Sequence, residues 1–170
     1  MSRLQIIEEP DPRLRLIAEP VERFDEALEC LARDLVETLH STSGIGLSAP
    51  QVGHSLQLLV VDMSEARNAA EIYINPQVQL TGRRCMVEES CLSLPGLEGV
   101  VSRVDAVRVR ALNTQGQLFE RDLEGMHAVC VQHEMDHLAG KLFTDRMALW
   151  QRLYMRGAAA VRAGLQRPAA

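Results

Sequence analysis

The sequence predicts an α+β domain in which short, mainly antiparallel strands surround a central helix bearing an HExxH motif, with further helices flanking it at the N- and C-terminal ends. Three observations predict this. Leu28, Leu31, Leu35 and Leu39 recur at helical spacing, a second helical stretch ends in His133–His137, and between the two lie seven short apolar, β-branched runs punctuated by Gly, Pro and Asn. With 170 residues, 46% of them hydrophobic and 24% charged, the chain has the composition of one globular domain rather than of a disordered segment or two domains. At this length about 70% of the unfolded surface can be buried, so the core needs no disulfide staples. We read residues 1–170 as a single domain, with 146–170 as a C-terminal helical extension.

The elements follow in order. Pro10, Asp11, Pro12 and Pro20 punctuate an extended, turn-rich entry. Asp25 is placed to cap the first helix, whose leucines are interleaved with Glu29, Arg33, Asp34 and Glu37. A glycine-rich stretch from Ser41 to Gly53 precedes strands expected at 56–62, 72–75, 78–81, 85–89, 100–101, 106–111 and 118–122. Asn113–Gly116 supplies the residue types of a hairpin turn. The second helix is expected from Gly125 to Leu138, stopped by Gly140. A third begins near Asp145 and carries Met147, Leu149, Trp150, Leu153 and Met155.

Net charge −5 and a pI near 5.5 argue against a generally basic, nucleic-acid-binding surface. No apolar run reaches the roughly 20 residues that span a bilayer, and the charged start MSRLQIIEEPDPRLR is unlike a signal peptide. The chain therefore reads as cytoplasmic, with Cys30, Cys85, Cys91 and Cys130 as reduced thiols.

The sharpest local signal is His133-Glu134-Met135-Asp136-His137. Residues four apart share a helical face, so both imidazoles can reach one metal ion while Glu134 flanks its open side, the arrangement that activates water. Two histidines leave such a site incomplete. Cys91, in Glu89-Ser90-Cys91-Leu92-Ser93 at the end of a strand, is the best third ligand. Cys130 competes, but its setting between Val129 and Val131 suits a pocket wall. In a third cluster, Gly44 to Gln51, the glycines permit close backbone approach and Gln51 can offer an amide donor to a carbonyl oxygen.

Taken in order, GIGLSAPQ, EESCLS and QHEMDHLAG resemble the three signature motifs of the peptide deformylases, and the entry PDPRLRLIAEPV is also similar to that family. The likeness runs from about Pro10 to Phe143. It implies an enzyme that removes the formyl group from the N-terminal formyl-methionine of nascent polypeptides, releasing formate. It implies Cys91, His133 and His137 as metal ligands and Glu134 as general acid and base. The oxyanion that develops is implied to be held with help from the Gln51 amide and the Leu92 N–H. It implies a peptide extended along Gly46 and Ser90 and a methionine pocket shaped by Ile45, Val87, Glu89, Met126, Val129 and Cys130. Arg103 falls where the resemblance places an arginine near the cleft rim, its other reading being a surface salt bridge. A Cys and two His suit zinc by general chemistry. The resemblance implies Fe2+ in the cell, with Zn2+, Ni2+ or Co2+ after purification.

Ser90 departs from the family's usual glycine, where a side chain narrows the groove or conflicts with a positive φ. Ser48 replaces a common alanine, with little effect expected. Residues 146–170 hold five arginines (Arg146, Arg152, Arg156, Arg162, Arg167) and no acid, leaving the rest of the chain at −10. A basic segment on an acidic protein points to a polyanion, and the ribosome suits a deformylase. His40, His54 and His127 have no neighbours at ligand spacing and read as ordinary surface residues. Other readings remain open: an HExxH metalloprotease or amidase that does not need Cys91, a deformylase-like protein in which Ser90 reduces activity or alters substrate choice, and a deformylase-like binding protein in which Ser90 blocks turnover.

Overall fold

The computed structural model describes residues 3–149 and 151. The first helix, α1 (Glu26–His40), starts where Asp25 accepts a hydrogen bond from the Leu28 N–H. Strands β1 (Gly46–Ser48), β2 (Leu58–Val61), β3 (Glu71–Leu80), β6 (Ala106–Leu112) and β7 (Leu118–Glu124) form an antiparallel sheet in the order β1-β2-β3-β6-β7. Strands β4 (Arg84–Cys91) and β5 (Leu94–Val104) pair separately as a two-stranded hairpin. The second helix, α2 (Gly125–Leu138), follows β7 directly, and a four-residue helix, α3 (Phe143–Arg146), packs on the β4–β5 hairpin. No helix among the described residues is long and apolar enough to cross a membrane.

The five-stranded sheet is covered on both faces, which explains the continuous apolar run of β2. Leu58 and Val60 join Leu28, Leu35 and Leu39 of α1 in one core cluster, whereas Leu59 and Val61 join Ala128, Cys130 and Val131 of α2 in another. α2 is buried almost throughout, so its sequence lacks a polar face. Gln132 pins it to β5, accepting from the Val104 N–H at 3.0 Å and donating to the Val104 carbonyl at 2.7 Å. The helix stops at Gly140, whose φ of +66° only glycine adopts freely and where a Cβ would lie 2.5 Å from the Arg15 carbonyl oxygen.

Several expectations are corrected here. The runs at 72–75 and 78–81 are one strand, β3, interrupted by a register shift at Asn75 and Pro76. Asn75 adopts φ 51° and its side chain bonds the Val21 N–H and carbonyl, each at 2.8 Å, so the irregularity anchors the entry segment instead of ending the strand. The strand expected at 100–101 runs the length of β5 because β4 pairs along it. The third helix begins at Phe143 and breaks at Met147, whose extended backbone (ψ 151°) accompanies burial of its side chain beside Leu94 and Phe143. The expectations for Trp150, Leu153, Met155, Arg152, Arg156, Arg162 and Arg167 lie outside the described residues.

His40 is not the unpartnered surface residue expected. Its Nε2 lies 2.8 Å from Asp62 Oδ2, and Asp62 also accepts from the Ser64 hydroxyl and N–H. Burial alone raises the Asp62 pKa, but the Ser64 and His40 hydrogen bonds outweigh it and hold the carboxyl at about 2. A carboxyl depressed in the native state contributes stability above its ordinary pKa, and that contribution is lost as pH falls toward 2. We expect Asp62→Asn to lower the denaturation midpoint at neutral pH, with the gap from wild type closing between pH 4 and 2. A gap constant across that window would refute the assignment.

Candidate active site

A cleft of about 450 Å³ opens between three walls. One is the segment Ser43–Gly46 with Gln51; the second is the β4–β5 hairpin from Glu88 to Glu98; the floor is α2, presenting Met126, Val129, Cys130, His133 and Glu134. The first wall is held from behind. Arg67 donates to the carbonyls of Gly44 (2.5 Å) and Leu39 (2.8 Å), and the Asp62 N–H donates to the Ile45 carbonyl at 2.9 Å. Gly46 lets β1 touch α2: a Cβ there would lie 2.6 Å from Cys130 Sγ and 2.7 Å from Glu134 Oε1.

At the base of the cleft the fold brings Cys91 to His133 and His137 from a distant part of the chain. The two histidines arrive on one face of α2, and Cys91 arrives at the end of β4 beside a register shift. One ligand-type atom from each lies within 4.8 Å of the other two, and Cys91 Sγ is 3.3 Å from His137 Nε2. All three residues are buried, His137 almost completely. His133 Nδ1 lies 2.8 Å from Glu89 Oε2, which orients the ring and leaves Nε2 to serve the cluster. Burial alone would lower the His133 pKa; hydrogen bonds to Cys91 and Glu89 and the nearby Glu134 charge raise it to about 10. One sulfur and two imidazole nitrogens converging in a buried pocket fit a divalent metal ion.

Glu134 is 3% exposed and lines the cleft beside this cluster. Burial is the main cause that lifts its pKa to about 7, only partly offset by His133 and by a hydrogen bond with Ser48. Among the described residues, Glu134 Oε2 and His137 Nδ1 have no hydrogen-bond partner. Cys130 is held as a neutral thiol by burial.

Gln51 is locked from both ends. Its Oε1 accepts from the Ser48 N–H and hydroxyl, both at 2.9 Å, which turns Nε2 toward Ser93 Oγ (3.3 Å) and Cys91 Sγ (3.6 Å). Ser48 is therefore more than a size-matched substitute for alanine, because its hydroxyl helps set the Gln51 amide. Ile7 and Glu9 of the entry segment strap this corner, donating to the carbonyls of Gln51 and Ser93 at 2.9 Å each.

Ile45, Gly46, Glu89, Ser90, Leu92, Met126, Val129 and Cys130 all line the cleft. Ser90 is exposed on the lip. It is absent from the non-glycine residues of positive φ, which among the described residues are Arg67 and Asn75, so its side chain conflicts with no backbone requirement. Two expectations are corrected. Val87, one pleat beyond Glu89, is half-buried opposite Val101 and does not line the cleft. Arg103 is neither a rim residue nor a surface pair. It is 4% exposed behind the cleft, donating to Glu89 at 2.7 and 2.9 Å and to Asp136 at 2.7 Å. His127 also has a partner, Tyr73, whose hydroxyl lies 3.4 Å from its Nε2.

The sequence does not assign Asp136 or Ser93 to the site, and it places Arg146 only in the arginine-rich run. Asp136 carried a usable signal, since a carboxylate inside an otherwise buried helix must find cations. Ser93 carries none, because its partner Gln51 lies 42 residues away, whereas the partner of Arg146, Asp136, is only ten residues before it.

Comparison with known proteins gives a consistent result. The polypeptide deformylase family matches residues 3–153. A peptide deformylase of Acinetobacter baumannii is 45% identical over 92% of this chain and 89% of its own length. One of Pseudomonas aeruginosa is 45% identical over 89% of this chain and 91% of its own. The crystal structure of a peptide deformylase from Legionella pneumophila superposes with a TM-score of 0.88 at 39% identity, covering 98% of this chain and all of that one. Because these matches run through every wall of the cleft and through the buried Cys-His-His cluster, we conclude that the chain belongs to the polypeptide deformylase family.

Proposed function

We propose that Cys91, His133 and His137 hold one divalent metal ion and that Glu134, Gln51 and Leu92 work beside it to hydrolyse the formyl amide of N-terminal formyl-methionine, releasing formate. The observation that carries this reading is the buried Glu134 carboxyl, with one oxygen unpartnered, poised near neutral pH beside a three-donor cluster. The ion supplies Lewis acidity, which lowers the pKa of water toward 7 and polarises a carbonyl. Glu134 takes the proton of the attacking water at its free Oε2 and later delivers it to the leaving amine, a task for which a pKa near the working pH is best. The Gln51 amide, fixed by Ser48, and the Leu92 N–H donate to the oxygen on which negative charge develops. Val129, Cys130, Ile45 and Met126 offer an apolar recess for the methionine side chain, and the peptide extends between β1 and β4 by main-chain pairing. Ferrous iron is the working ion implied by the family resemblance, whereas the donor set itself accommodates zinc as well.

The lip adds a preference. Glu88 and Glu98 stand exposed beside Ser90, giving this edge of the cleft an acidic character. Exposed charge pairs contribute about 0.2 to 1 kcal/mol. A formyl-methionyl tripeptide with Lys in the second position should therefore show a kcat/KM a few-fold above its Glu counterpart, and salt should shrink the difference. Formate release from such peptides, by protein purified without oxygen and loaded with Fe2+, tests the whole assignment. No release from folded, metal-loaded protein refutes it. For the arginine-rich run from Arg152 onward we propose contact with ribosomal RNA, supported by its charge; Arg146, ahead of it, is taken by Asp136. Deletion from Arg152 should reduce co-sedimentation with ribosomes at low salt, and unchanged co-sedimentation refutes the contact.

A further inference from the structure

Asp136 stands on α2 between His133 and His137 and is 4% exposed. A carboxylate so placed is tolerable only when its charge is matched and its oxygens are bonded. Two arginines from other parts of the chain supply both. Arg103 Nη1 donates to Oδ2 at 2.7 Å, Arg146 Nε donates to Oδ2 at 2.9 Å, and Arg146 Nη2 donates to Oδ1. The remaining Arg103 donors grip Glu89, and Glu89 in turn meets His133 Nδ1. Hydrogen bonds thus run unbroken from the His133 imidazole through Glu89, Arg103 and Asp136 to Arg146. Two carboxylates balance two guanidiniums along this path, which ends on a side chain 45% exposed at the end of α3. Phe143, at the start of the same short helix, stacks near the His133 ring, with centroids 6.3 Å apart and planes inclined by 25°. One four-residue helix therefore bears on His133 twice, through a ring contact and through a chain of charges.

We propose that Arg146 is a positioning residue for the metal centre, fixing the His133 ring from about four side chains away and so governing how long the ion is retained. The inference rests on the assignment of Cys91, His133 and His137 as ligands. Without Arg146, the buried Asp136 Oδ1 loses its donor. Asp136 then draws on Arg103, whose grip on Glu89 slackens, and the imidazole loses its fixed orientation. A lysine in its place would keep the charge but not the planar fork that bonds both carboxylate oxygens.

The test uses the full chain loaded with Co2+, as wild type, Arg146→Gln and Arg146→Lys. Metal loss to a chelator is followed through the visible absorbance of the cobalt site, alongside kcat and KM on a formyl-methionyl peptide and the thermal midpoint. Outer partners of metal-bound histidines commonly change metal affinity 10- to 100-fold. We expect Arg146→Gln to release cobalt about tenfold faster, with kcat reduced and KM within twofold of wild type, and Arg146→Lys to fall between the two. A lowered thermal midpoint with cobalt release and kcat at wild-type values would make Arg146 purely structural and overturn the proposal. Should Arg146→Gln fail to fold, wild-type release by Arg146→Lys would overturn it equally. Failure of the wild type to bind Co2+ would overturn the ligand assignment and this proposal together. Bound cobalt without formate release would overturn only the proposed reaction, and the release rates would still decide the role of Arg146.

Discussion

Glu134→Gln is expected to lower kcat for formate release by about 10²- to 10⁴-fold, the usual contribution of a positioned general acid and base, while leaving the bound metal in place. Glutamine matches glutamate in size, so the packing around a side chain that is 3% exposed is kept. Only the ability to accept and return a proton is lost. The same variant tests the cost of holding a carboxyl there. Burial raises the Glu134 pKa to about 7, so between about pH 4.5 and 7 the native state binds more protons at this group than the unfolded state. Its contribution to stability therefore declines as pH rises through that window. The metal-free variant should accordingly show a higher thermal midpoint than metal-free wild type above pH 7, with the advantage fading toward pH 4.5. This is the familiar exchange of stability for activity at a functional site. A variant that kept more than a tenth of wild-type kcat would remove Glu134 from the chemistry.

Cys91→Ala carries the second large effect. Two imidazoles on one helical turn are left to hold the ion, and loss of a direct ligand should exceed the roughly 100-fold upper range seen for outer partners. Substoichiometric metal after dialysis and no measurable formate release are expected. The variant also separates this enzyme from an HExxH amidase that does not use the thiol. Full metal content in Cys91→Ala, measured by elemental analysis, would favour that second chemistry. Cys130→Ala is the natural control. Its thiol is buried and neutral, it lines the cleft without joining the cluster, and its loss should alter KM more than metal content.

Local physics accounts for what could be read directly from the residues. Helix α2 was bounded correctly because glycine at 125 and 140 and the His133–His137 spacing act within one or two helical turns. The cap of α1 at Asp25 and the Asn113–Gly116 turn were equally local. The Cys91-His133-His137 cluster was also within reach, since the HExxH pair follows from helical spacing and the EESCLS motif singled out Cys91. Strand extents were not. β3 looked like two strands because Asn75 and Pro76 resemble punctuation, and β5 looked like two residues because nothing local shows that β4 pairs with it from Leu94 to Val104. Strand length is decided by the partner, and the partner is remote.

The two layers of the site differ in the same way. Residue order and type suffice for one acidic α+β domain, the central HExxH helix, the three motifs in order and the residues that meet at the base of the cleft. Packing places Arg103 behind the cleft rather than at its rim, turns Val87 away from it, sets Ser48 to orient Gln51, and pairs His40 with Asp62. It also joins Arg146 to His133 through Asp136, Arg103 and Glu89. Residue type specifies what an atom can donate, accept or ligate, and short-range spacing specifies which helical face it occupies. Pairing of buried charges depends on which distant segments the packed core brings within about 3 Å, and that is settled only when the sheet, α2 and the β4–β5 hairpin close on one another.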